Sequence, residues 1–201
     1  HVFAGGGKFV CNYRFRQPLR GSEQFHNGMI LTDGVSLSPG GKEYVQKNMY
    51  DEETGFFYDV KIDSEEKVKV MGAEGWLPLW AGIATKEQAE SVKQNMMNEN
   101  HFNSHLPLGT LDISHPALRP TRGYWRGPVW VNQGYFGIIG LKNYGYVKEA
   151  DYLTRKFMNN AQGLMTDGPI HENYNPLTGE ALNAPNFGWS SALILKLLVN
   201  K

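Results

Sequence analysis

The chain has 201 residues, 41% of them apolar, with 20 basic and 20 acidic side chains and a formal net charge of zero. That is room for one large domain or two small ones with a real core, which argues against wholesale disorder. A balanced charge with no basic stripe or charge run recommends neither nucleic acid nor a membrane surface as partner. Cys11 is the single cysteine, so there is no internal disulfide framework. Neither a secretory signal nor an apolar stretch of bilayer-spanning length stands out. A chain that opens on His1 reads as a piece of a longer polypeptide, and its compartment stays unassigned.

Residues 1 to about 40 are glycine-rich and without period. Ala4-Gly5-Gly6-Gly7-Lys8 lacks the G-x-x-x-x-G-K-[ST] spacing of a phosphate loop. Pro39 to about Tyr50 reads as a short helix and Asp51 to Gly55 as a turn. Phe56 to Ile62, followed by the alternating Lys67 to Val70, predicts a small β-hairpin near residues 56–70. From Trp76 the pattern is helical. Trp76 to Ala84 reads as a short apolar helix, and Thr85-Lys86-Glu87-Gln88 has the form of a capping box, with a hydroxyl at the cap and an amide three residues on. The helix it opens carries Ala89, Val92 and Met96 on one face.

Pro128 suits the first turn of another helix, to about Tyr144, because the N–H it lacks is unpaired there in any case. That helix is apolar nearly all round and is predicted to be buried. Gly145 and Tyr146 break the chain, and Val147 to Leu164 recurs in three- and four-residue steps as an amphipathic partner. Gly168 to Asn186 has neither helical nor strand period and reads as one long polar loop, a length usually reserved for function. Trp189 to Val199 reads as a last apolar helix. Buried and half-wet helices in alternation predict two layers of antiparallel helices, with the long loops gathered at one end of the inner layer. No repeat of fixed period is present.

Four segments concentrate polar and aromatic groups at loop-to-helix junctions: Glu74 to Trp80, Gly123 to Trp130, the loop around Glu172, and Ala184 to Trp189. Helix N-termini offer unpaired N–H groups to oxygen ligands. The five tryptophans all lie between residues 76 and 189, and indole faces suit the C–H faces of sugars. Glu172 is the candidate for proton chemistry, flanked by Asn173, Tyr174 and Asn175. Each element has an ordinary alternative: Arg126 as an ion-pair partner, Glu74 as an N-terminal helix charge, any one tryptophan as core. Asn175 stands where the second His of H-E-x-x-H belongs, so a zinc protease is excluded. His101, His105 and His115 offer no defensible ligand set, and no G-x-S-x-G elbow occurs. Neither metal nor cofactor is expected.

Glu74-Gly-Trp-Leu-Pro-Leu-Trp-Ala-Gly, Tyr124-Trp-Arg-Gly-Pro-Val-Trp-Val-Asn, Glu172-Asn-Tyr-Asn-Pro-Leu-Thr-Gly-Glu and Ala184-Pro-Asn-Phe-Gly-Trp, in that order, resemble glycoside hydrolase family 63, whose members include α-glucosidases and mannosylglycerate hydrolases. The resemblance covers about residues 48 to 200. It implies an all-α (α/α)6 toroid and inverting hydrolysis of α-glycosidic bonds, with no nucleic acid or membrane partner. The family's general base falls on Glu172, and its sugar-pocket positions fall on Trp125, Arg126 and Trp130. Glu74, Trp76, Asn173, Tyr174 and Trp189 complete the candidate substrate contacts.

The family's general acid is an Asp from an earlier barrel segment that has no clear counterpart here. Asp33 is the upstream carboxylate with the nearest neighbourhood. The helices also number about half of those that a closed toroid needs. The expectation is therefore a partial barrel: residues 48–201 as the C-terminal part of a catalytic domain, after an unassigned segment 1–47, with the remaining half or a second chain as partner. A non-catalytic glycan-binding fragment and a sugar isomerase or epimerase on the same toroid remain as alternatives.

Overall fold

The computed structural model describes residues 39–61 and 64–199. Residues 1–38, with Asp33 and most of the glycine-rich segment, lie outside them. A short helix α1 (Pro39–Tyr44) runs on through one wide π-turn, Val45–Met49, which seats Val45 and Met49 in the main core. Strands β1 (Tyr50–Asp51) and β2 (Phe56–Phe57) pair antiparallel. Their turn is closed by the Gly55 N–H on the Asp51 carbonyl at 2.8 Å, and the Asp51 carboxylate accepts the Thr54 N–H at 3.1 Å. The expected hairpin at 56–70 is thereby redistributed. Its first strand pairs backwards with β1 across the tighter turn, and a single antiparallel bridge, Val60 with Lys67, joins its two halves.

The apolar run from Trp76 begins earlier and ends sooner than its composition predicts. A 3-10 turn, Ala73–Trp76, leads into the one-turn helix α2 (Leu77–Trp80). Pro78 fits that first turn, and Gly82 then takes φ 66°, a left-handed conformation that stops the helix. Helix α3 (Lys86–Met97) is capped as its sequence predicts. The Thr85 hydroxyl accepts the Gln88 N–H at 3.2 Å, and the Gln88 amide oxygen accepts the Thr85 N–H at 3.0 Å. Ala89, Val92 and Met96 are buried as expected.

The buried helix starts three residues after Pro128, because Val129 and Trp130 extend as strand β3 (Val129–Trp130) before α4 (Val131–Asn143) begins. A β-branched residue followed by an aromatic is well suited to a strand. Helix α5 (Val147–Asn160) ends before Leu164, although Ala161 and Leu164 still pack into a second core. The region read as one structureless loop contains β4 (His171–Tyr174) and β5 (Ala181–Pro185). Asn175 to Glu180 forms the turn, with the Gly179 N–H on the Asn175 carbonyl at 2.8 Å. The three strands form an antiparallel sheet in the order β3-β4-β5. Helix α6 (Gly188–Val199) follows.

The described residues are therefore helix-rich, as expected, with two small antiparallel sheets among them in place of the single hairpin. Helix α4 lies at the centre and packs against α2, α5 and α6. Its glycines permit this closeness: a Cβ on Gly140 would lie 2.9 Å from the Trp80 nitrogen and 3.0 Å from the Leu79 Cβ. Phe56, Trp76, Leu79, Val92, Met96 and Ile138 fill the main core. A smaller core under the sheet joins Val129, Val131, Phe157 and Tyr174. Among the described residues no helix is long and apolar enough to cross a membrane.

Candidate active site

The three-stranded sheet sits where the chain enters α4 and α6, so the residues at both helix starts meet on it. Trp130 is cross-strand partner to Asn173, and Val129 to Tyr174. Glu172 precedes these paired residues on β4, half-buried. One carboxylate oxygen, Oε1, accepts the Tyr124 hydroxyl at 2.7 Å. The other, Oε2, faces the backbone N–H of Ala184 at 3.5 Å. The Glu172 carbonyl accepts the Ser190 hydroxyl from the first turn of α6 at 3.2 Å. Bonding to the carboxylate, followed by burial, raises the Tyr124 phenol above its ordinary value, so it stays a donor through the neutral range.

Aromatic rings gather beside this carboxylate. Trp125 stacks on Trp130 at 4.1 Å and 11°, and Tyr124 meets Trp130 edge-on at 4.9 Å. Trp189 stands 6.2 Å from Trp130. The Trp130 indole N–H donates to the Tyr124 carbonyl at 2.9 Å, which fixes the bend of the loop. Tyr124, Asn183 and Asn186 have left-handed φ of 54°, 59° and 56°. Such backbone is uncommon outside glycine and is often found at functional sites. Of these rings Trp130 is buried, and the surface is left to Trp125 and Trp189; such rings beside a carboxylate that keeps free lone pairs can seat a sugar ring and accept a proton from a water or hydroxyl.

The expected site residues thus divide. Glu172, Trp125, Trp130 and Trp189 come together, with Arg126 exposed on the same loop as Trp125. Asn173 is wholly buried beneath them and accepts the Asn183 amide at 2.8 Å. Tyr174 is turned into the smaller core, where its ring meets Phe157 and its hydroxyl accepts the His171 N–H at 2.9 Å. Trp76 is also fully buried: its indole N–H donates to the Gln133 carbonyl at 3.0 Å and its ring meets Phe102 edge-on. Both rings serve packing, and the polar handle of each finds a backbone partner inside the protein.

Glu74 lies on the 3-10 turn ahead of α2. The residue keeps some accessible surface, yet its carboxyl is densely surrounded by protein, and burial first and the nearby Asp59 second push it up to about 8. Burial likewise raises Asp59. Tyr124, Asn183 and Ser190 were not among the predicted site residues. Tyr124 heads one of the four motifs but points at Glu172 only in three dimensions, and Asn183 gains its place from strand register. Three buried polar atoms, Gln133 Oε1, His171 Nδ1 and Asn173 Nδ2, have no protein partner among the described residues, which is unusual in protein interiors. No group of three or more His, Cys, Asp or Glu among the described residues is arranged to hold a metal ion.

A family profile described as the mannosylglycerate hydrolase MGH1-like glycoside hydrolase domain matches residues 40–190. The mannosylglycerate hydrolase of Thermus thermophilus is 32% identical over 147 residues, which is 73% of this chain and 34% of that protein. The cytosolic neutral trehalase of Saccharomyces cerevisiae is 27% identical, over 86% of this chain and 23% of that protein. Among solved structures, a GH63 mannosylglycerate hydrolase from Thermus thermophilus in complex with glucose superposes with a TM-score of 0.66 at 29% identity. That superposition covers 80% of this chain and 39% of that one. The chain spans about a third of the length of the mannosylglycerate hydrolases it matches.

Proposed function

Because the chain belongs to the mannosylglycerate hydrolase MGH1-like glycoside hydrolase family, within glycoside hydrolase family 63, we propose that it is the base-bearing portion of an inverting α-glycosidase acting on α-linked glucosides or related oligosaccharides. The observation that carries this reading is the Glu172 carboxylate, oriented by the Tyr124 hydroxyl at 2.7 Å beside the Trp125–Trp130 stack. In an inverting reaction a water oxygen bonds to the anomeric carbon as the bond to the leaving oxygen breaks. The base takes the water's proton, and an acid about 6.5–9.5 Å away protonates the leaving oxygen. Glu172 is the base in this scheme. The acid comes from polypeptide outside the described residues.

Trp125 and Trp189 form the wall for the sugar ring, with the expected contact Trp130 buried behind Trp125 as its support, Arg126 at the rim and Asn173 behind Glu172. Residues 48–201 form the C-terminal part of an (α/α)6 toroid, with α4 and α6 inner and α3 and α5 outer, and segment 1–47 precedes it without an assigned role. The packing of Val45 and Met49 in the main core favours a junction upstream of residue 47. The rest of the toroid covers the face of α6 that carries Leu195 and Val199, which are 62% and 71% exposed.

Glu172→Gln in the full polypeptide tests the assignment. Hydrolysis of α-glucosides is expected to be lost, with sugar affinity by calorimetry held within a few fold. Near-normal turnover would remove Glu172 from the role of base. Sugar binding by the unaltered full polypeptide without any turnover would favour a glycan-binding protein instead.

A further inference from the structure

The sheet that carries Glu172 contains one irregularity, and it faces the carboxylate. His171 pairs with Pro185, and Asn173 with Leu182. Two steps along β4 therefore match three along β5, so β5 carries one extra residue within Asn183–Ala184. A bulge of this kind bends the strand and re-aims its neighbours. Asn183 supplies the bend with its left-handed φ of 59°.

Two contacts follow from the bulge. The next backbone N–H, that of Ala184, points at Glu172 Oε2, at the long limit of a hydrogen bond, 3.5 Å. The Asn183 amide donates to Asn173 Oδ1 at 2.8 Å, and Asn173 is the fully buried residue directly after Glu172. Without the extra residue, the remainder of β5 would present the opposite side of its backbone to β4, and the Ala184 N–H would turn away. Glycine would adopt this backbone freely but has no amide, and alanine would have neither the freedom nor the amide. Asparagine meets both requirements.

We propose that Asn183 is a positioning residue for Glu172: its bulge aims the Ala184 N–H at the carboxylate, and its side chain clamps Asn173 so that the base holds one orientation. The proposal rests on the reading of Glu172 as the base. Asn183 itself touches neither water nor sugar in this scheme. It acts on the chemical step and leaves substrate affinity alone, because displacement of a catalytic group lowers kcat steeply.

The test compares Asn183→Gly, Asn183→Ala, Glu172→Gln and the double variant Asn183→Ala/Glu172→Gln in the full polypeptide, with circular dichroism to establish folding. Asn183→Ala is expected to lower kcat about 10- to 100-fold at unchanged KM. Asn183→Gly, which keeps the bulge and loses the clamp, is expected to fall between it and the parent. In the Glu172→Gln background, where only binding is read, Asn183→Ala should leave sugar affinity by calorimetry unchanged, as expected of a residue that acts through the base and not on the sugar. A folded Asn183→Ala enzyme with kcat within twofold of the parent would overturn the proposal. So would a rise in KM at constant kcat, which would mark Asn183 as a substrate contact. If Asn183→Ala does not fold, Asn183→Gly decides: lower kcat at unchanged KM supports the clamp, and parental kcat overturns it. Glu172→Gln with near-normal turnover would instead sink the underlying assignment of the base, a result separable from failure of the Asn183 proposal alone.

Discussion

The Tyr124 hydroxyl donates to Glu172 Oε1 at 2.7 Å across 48 residues of sequence. This bond occupies one oxygen of the carboxylate, while the other has only the long contact with the Ala184 N–H at 3.5 Å. The loop that delivers the phenol is held in turn, because the Trp130 indole binds the Tyr124 carbonyl. Tyr124→Phe keeps the ring against Trp130 and removes only the donor. It is expected to lower kcat about 10-fold, with KM little changed, in steady-state assays of the full polypeptide, in line with loss of one charge-assisted bond. Since the phenol is raised above its ordinary value by that bond and then by burial, the loss should be the same from about pH 6 to about pH 8, as no tyrosine ionisation intervenes there. A loss confined to one end of that range would show that the phenol does something other than orient the carboxylate.

Trp125 reaches the site by stacking at 4.1 Å on Trp130, which is itself buried. The outer ring is thus half-buried on an aromatic base and keeps surface available to a sugar. Trp125→Ala removes that surface and leaves Glu172 and its donors in place. KM for α-glucosides is expected to rise about 10-fold, equivalent to about 1.4 kcal/mol, while kcat changes less than about threefold. If kcat falls instead and KM holds, the tryptophan supports the Tyr124 loop and makes no direct contact with the sugar.

Local and long-range features differ sharply in how much the sequence reveals. Thr85 and Gln88 were legible as a cap because their bonds span three residues and depend on nothing else. The amphipathic face of α5 was legible because its period is intrinsic to the helix. Strands β4 and β5 were not, because their polar side chains face a site or a turn and leave no alternation to detect. The polar residues around Glu172 mark a functional loop in the sequence, yet part of them, Asn175 onward, closes the hairpin. Asn183 acquires its place only when β5 pairs with β4 out of simple register. Trp76 sits in a motif shared with the family, yet its indole is directed inward, a choice set by Phe102 and the Gln133 carbonyl.

Glu74 makes stability depend on pH. Its carboxyl is pushed up to about 8, by burial and then by Asp59, from the ordinary value of 4.5. The folded state therefore holds a proton that the unfolded chain releases above about pH 4.5. The contribution is fully present below that value and is lost as pH rises through about 8. With allowance for the surface Glu74 keeps, the loss should be about 1–3 kcal/mol, and Asp59, also raised by burial, acts with the same sign. Urea unfolding at about pH 5 and about pH 8 should show lower stability at the higher value, and Glu74→Gln should flatten the difference. An unchanged pH slope in Glu74→Gln would mean that other groups produce it.

Gly140 tests the packing that brings the site's helices together. Helix α4 crosses α2 so closely that a Cβ at this position would lie 2.9 Å from the Trp80 nitrogen and 3.0 Å from the Leu79 Cβ. One of these atoms is backbone and cannot rotate away, so an alanine has to push the two helices apart. Alanine also favours the helix over glycine by about 0.8–1.0 kcal/mol, which opposes the clash. Overpacking a core typically costs about 1–3 kcal/mol, and contact with backbone puts Gly140→Ala toward the upper end, so net destabilisation by about 1–2 kcal/mol is expected. Thermal unfolding of Gly140→Ala beside the parent measures it. A variant as stable as the parent would mean that α2 yields, and the Trp76 indole bond to the Gln133 carbonyl, which ties the 3-10 turn just ahead of α2 to α4, should then shift in the indole N–H resonance of the NMR spectrum.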